Sequence, residues 1–86
     1  MGKHEKLIRT ILEGRSDANI GFNDLRSLLI HLGFAERTSG SHHIFRKDGV
    51  EVRINLQKTG PQAKPYQVKQ VRAVILRYRL GELGDV

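Results

Sequence analysis

The 86-residue sequence contains no cysteine, which excludes disulfide staples and thiolate metal ligands and fits a reducing cytoplasm. It has no apolar run near the roughly 20 residues that a bilayer-spanning helix needs. The opening MGKHEKLIRT lacks a long apolar stretch with a small-residue cleavage site, so no signal peptide is expected. Glu5 and Lys6 also depart from the pattern that follows a myristoylated glycine. Proline occurs only twice, at Pro61 and Pro65, both in or beside one segment, KTGPQAKP, which reads as a loop. Internal repeats and low-complexity segments are absent. What remains is a length suited to one modest core, and a single domain over 1–86 is expected.

Acidic residues are scarce where it matters. The net charge is +6, and from 58 to 79 every charged residue is basic: Lys58, Lys64, Lys69, Arg72, Arg77 and Arg79. Such a one-sided field points to a polyanion, nucleic acid before membrane.

Periodicity supplies the elements. Leu7, Ile8, Ile11 and Leu12 form the apolar stripe of a short first helix, stopped at Gly14. In FNDLRSLLIHLGF, Asn23 is an expected N-cap, Leu25, Leu28, Leu29 and Leu32 repeat at helical spacing, and Gly33 closes the helix. FAERTSG reads as a short edge strand ending in a turn. SHHIFRK and VEVRINLQ read as two strands joined through Asp48–Gly49. Pro65 opens a last helix carrying Val68, Val71, Val74, Ile75 and Tyr78 on one face, with Gly81 as its stop and a frayed ELGDV tail. Beyond the first helix the order is α-β-β-β-α, an α+β fold with helices on one face of a three-stranded antiparallel sheet. The other face is then open to solvent.

His42 and His43 begin the second strand, so they must point to opposite faces. A two-residue type I′ turn at Asp48–Gly49 would pair Lys47 with Val50, Phe45 with Val52, His43 with Ile54 and His42 with Asn55. Phe45 and His43 then face the core, while His42, Arg46 and Arg53 share the wet face. A three-residue turn would swap the two histidines.

An exposed histidine beside arginines suits one reaction on a polyanion. Imidazole exchanges protons near neutrality, and it can take the proton of a ribose 2′-hydroxyl while cations stabilise charge at phosphorus. A metal is not implied: the four histidines lack a His-x-x-x-His pair and no cysteine assists them. Gly40 permits positive φ or close approach of a ligand, and Ser41 offers a hydroxyl.

The stretches LLIHLGF, GSHHIFRKDG and VEVRINLQ, followed by a C-terminal helix, resemble the HicA toxins of bacterial HicA–HicB toxin–antitoxin pairs. The resemblance covers roughly 22–80 and leaves 1–21 as an extension. It implies a double-stranded-RNA-binding-like α-β-β-β-α fold, a cytoplasmic endoribonuclease (mRNA interferase) and a HicB-type antitoxin as partner. The family glycine and catalytic histidine map onto Gly40 and His42, with Ser41 between them; members with the histidine one place later would place it at His43. Arg46, Arg53, Lys64, Lys69 and Arg72 are the expected RNA contacts, with no metal and no cofactor. The competing readings are a non-catalytic RNA-binding module and a basic domain that binds only protein.

Overall fold

A computed structural model describes residues 2–80. Helix α1 spans Lys3–Glu13 and α2 spans Phe22–His31. Strands β1 (Ala35–Ser39), β2 (His42–Lys47) and β3 (Val50–Gln57) follow, then helix α3 (Pro65–Tyr78). The sheet is antiparallel in the order β1-β2-β3. The expected α+β architecture is the observed one.

One sheet face is covered by helices. Phe45, Ile54 and Leu56 are fully buried against Phe22, Leu25, Leu28 and Leu29 of α2 and Val68, Val71 and Ile75 of α3. These are the inward positions of alternating strands and the apolar stripes of amphipathic helices. Burying side chains of this size removes about 1.5–3 kcal/mol worth of apolar surface from water for each one. The extension joins the same core, since Ile11 of α1 is fully buried in it. Leu7 and Ile8 are half-buried, while Leu12 of the expected stripe is exposed.

Polar contacts pin the extension. Arg72 of α3 makes a two-pronged ion pair with Asp17, at 2.9 and 3.1 Å, and donates to the Ile11 carbonyl at 3.0 Å. Gly14 closes α1 in the left-handed region, φ 73°, with Arg72 packed beside it. His4 bonds Ser27 Oγ at 3.0 Å through Nε2 and stacks on His31 at 4.3 Å. His31, exposed at the end of α2, therefore also seats α1.

Several local expectations are corrected. Asn23 does not cap α2; the helix begins two residues earlier than that cap implies, at Phe22, with extended Gly21 at the cap and no side-chain cap bond. The Phe22 amide instead donates to the Pro61 carbonyl, so the proline loop replaces the cap. At the hairpin only Gly49 has positive φ, so the turn is not type I′, which needs both central residues there. Lys47 does pair with Val50, but an irregularity follows and Phe45 pairs with Ile54, not Val52. Three residues of β3 (Glu51, Val52, Arg53) stand against Arg46 alone. The register therefore slips by two, giving His43↔Leu56 and His42↔Gln57. A slip of two preserves the faces. Arg79, in the left-handed region, caps α3; the expected stop at Gly81 and the tail lie outside the described residues.

Candidate functional site

The site forms where β2 begins. Gly40 takes φ 61°, a conformation glycine adopts without the Cβ penalty, and no atom lies within 4 Å of where a Cβ would be. Backbone shape, not space, therefore selects glycine there. The Ser41 carbonyl accepts from the Lys58 amide at 2.9 Å, tying the turn to the end of β3. Just beyond, buried Gln67 accepts from the Lys64 amide and donates to the Gln57 carbonyl, both at 3.0 Å. The strand ends that carry His42 and Gln57 are thus fastened to α3.

His42 and His43 meet opposite surroundings. His43 points under the sheet with its side chain 15% exposed, and its ring sits edge-on to Phe22 at 5.1 Å. Its Nδ1 lies 2.7 Å from Glu36 Oε2, and the same oxygen accepts from Arg26 Nε. The Arg26 guanidinium holds the Glu36 carboxyl below the usual carboxylate range; the His43 contact acts the same way, and burial opposes both. Three elements are knotted together here: α2 through Arg26, β1 through Glu36 and β2 through His43.

His42 is exposed on the outer face, in one row with Ser39 and Gln57. The next row holds Arg37, Ile44 and Asn55, and beyond it stand Arg46 and Arg53. Arg37, Arg46 and Arg53 are all exposed, and their side chains make no ion pair or hydrogen bond among the described residues. Ser41 is exposed at the turn.

The expected RNA contacts therefore divide. Arg46 and Arg53 share the outer face with His42. Lys64 and Lys69 are exposed on the helix-covered side, with α3. Arg72 does not join either group, because its guanidinium is committed to Asp17 and Ile11 and its side chain is only 20% exposed. Sequence reasoning missed Arg37, Glu36 and Arg26. Alternation along AERTS could have found the first two, since it sends Arg37 outward and Glu36 toward His43.

Among the described residues no group of three His, Cys, Asp or Glu side chains could hold a metal ion. No helix there is long and apolar enough to cross a membrane.

A small basic α+β domain with an open sheet face bearing histidine and arginine defines the class. Within it, residues 22–77 match the family model described as HicA toxin of bacterial toxin–antitoxin systems. The chain belongs to the HicA toxin family, and is thus a toxin-type component of a toxin–antitoxin pair. The match begins at the first residue of α2, so α1 and the Asp17 turn lie outside it. No curated protein and no solved structure matches the chain at a significant level.

Proposed function

We propose that the protein is a metal-independent endoribonuclease that cleaves mRNA through His42, held in check in the cytoplasm by a HicB-type antitoxin. The observation that carries this reading is the exposed His42 on an open sheet face with three arginines that lack internal partners. The imidazole takes the proton from a ribose 2′-hydroxyl, and that oxygen attacks the adjacent phosphorus. The bond to the 5′-oxygen breaks, the leaving oxygen regains a proton, and a 2′,3′-cyclic phosphate remains. Arg46 and Arg53, about two strand steps from the His42 row, bind backbone phosphates farther along the strand and hold it across the sheet. Gly40 and Ser41 shape the approach to His42, while Lys64 and Lys69 extend the attractive field. One positioned acid–base group contributes about 10²–10⁴-fold in rate, enough for a toxin that need act only slowly.

A second reading places the chemistry on His43. Its favouring observation is the Glu36 contact at Nδ1, which would orient the ring and leave Nε2 for a substrate proton. Burial of most of the ring weighs against it. Without catalysis on either residue, the protein would be an RNA-binding module.

Induced expression of wild type beside His42→Ala tests the proposal. Wild type should arrest growth and fragment mRNA, and purified protein should cut RNA in EDTA to give cyclic phosphate ends. Cleavage that needs added metal, or fragments ending in 3′-hydroxyl, would contradict the mechanism.

A further inference from the structure

The central row of the outer sheet face suggests a use that the catalytic reading leaves open. Arg37, Ile44 and Asn55 lie side by side across β1, β2 and β3. Two residues along a strand is a step of about 7 Å, so this row is one such step from the His42 row. Arg46 and Arg53 stand about one further step toward the hairpin. The three side chains differ in kind: a cation at the edge, a half-buried aliphatic in the middle and an exposed amide on the far strand.

Those chemistries match the three parts of a nucleotide. Arg37, without a partner among the described residues, can bind a phosphate in forked geometry. Ile44 offers apolar surface to the face of a base. Asn55 can present its amide to a base edge, and an amide pairs bidentately with the N6 and N7 groups of adenine. Such contacts require an unstacked base, which a duplex does not provide. Glu51, two strand steps from Asn55 toward the hairpin, is the only acid on the outer positions of β3, so the face favours a polyanion over a cationic partner.

We propose that the Arg37–Ile44–Asn55 row seats the nucleotide next to the cleaved bond, in single-stranded RNA, with a preference for adenine. The seat rests on the ribonuclease reading for its relation to the cut, but RNA binding to it can be measured without cleavage. The probe is a 2′-O-methyl oligoribonucleotide, which lacks the attacking hydroxyl and so stays intact, used as a single strand and as a duplex. Wild type should bind the single strand more tightly. Arg37→Ala should flatten the plot of log affinity against log salt by about 0.7, the share of one phosphate contact on a single strand. On random-sequence RNA, wild type should show adenine enriched at one fixed offset from the cut, and Asn55→Ala should lose it by roughly five- to 150-fold.

An unchanged salt slope in Arg37→Ala, an unchanged cut-site profile in Asn55→Ala, or tighter binding of the duplex would overturn the seat. So would an Arg37→Ala protein that keeps its RNA affinity but loses affinity for polyglutamate, which would assign the face to an acidic protein. If wild type binds as expected yet never cuts, the catalytic reading fails and the binding row stands. If wild type cuts while Arg37→Ala keeps its slope, the reverse holds.

Discussion

Two neighbouring histidines divide the molecule into a satisfied side and an unsatisfied one. Beneath the sheet, His43 meets Glu36, Glu36 meets Arg26, and no buried side-chain nitrogen or oxygen among the described residues lacks a partner. On the outer face, His42, Arg37, Arg46 and Arg53 are exposed and unpaired among the described residues. Charges that are already matched inside the protein stabilise the fold and have little left for a ligand. Charges without internal partners keep their full interaction for one. On the proposed function, this difference between the faces is a difference of role.

Arg72 shows the same division on the helices. It belongs by sequence to the basic run, and by contact to the satisfied side, where it holds the extension onto α3. Arg72→Ala removes charged hydrogen bonds and strands Asp17, so chemical denaturation should show a loss of about 2–3 kcal/mol. If stability is unchanged while RNA affinity falls, Arg72 belongs with the outer arginines instead.

His43→Ala should cost about 1–3 kcal/mol, through the ring contact with Phe22 and the contact abandoned at Glu36. A melting curve superimposable on wild type would remove His43 from the structural side. Smaller still in stability, the pair Arg46→Ala and Arg53→Ala should leave the melting temperature nearly unmoved, since exposed substitutions stay within about 0.5 kcal/mol. Their effect belongs to binding: the salt dependence for single-stranded RNA should flatten by about 1.4. An unaltered slope would place RNA on the α3 side, with Lys64 and Lys69.

The smallest effect is set by pH. The folded-state pKa of Glu36 is lowered, chiefly by Arg26 and then by His43. Its contribution to stability is therefore complete above the ordinary glutamate range and is lost as pH falls through the depressed folded value. Glu36→Gln should be less stable than wild type at neutral pH, and the gap should narrow below about pH 4. A gap of constant size from pH 7 to pH 3 would show that the carboxylate charge at Glu36 does not stabilise this knot.

Much of this was legible in the sequence. The leucine spacing of α2, the alternation of VEVRINLQ and the valines of α3 are strong periodic signals, and each element appears where the pattern puts it. Opposed faces for His42 and His43 follow from strand geometry alone, and they survived a register error because the slip was an even number of residues. The slip itself was not legible. Its cause is the irregularity opposite Arg46, and alternation reads the same on both sides of it. Nor could helical spacing separate Arg72 from Lys69. Both lie on α3, and only the path of the GRSDANIG loop brings Asp17 to one of them. Arg26 was hidden for the same reason, since its partner Glu36 lies ten residues away on another element.

The central claim is that chemistry belongs to the outer histidine and architecture to the inner one. Its most direct test is the rate of RNA cleavage by purified wild type, His42→Ala and His43→Ala, measured side by side in EDTA on folded protein of equal concentration. His42→Ala should lose about 10²–10⁴-fold in rate while melting like wild type, and His43→Ala should melt earlier yet retain cleavage. A stable, inactive His43→Ala beside an active His42→Ala would move the chemistry beneath the sheet and contradict the account.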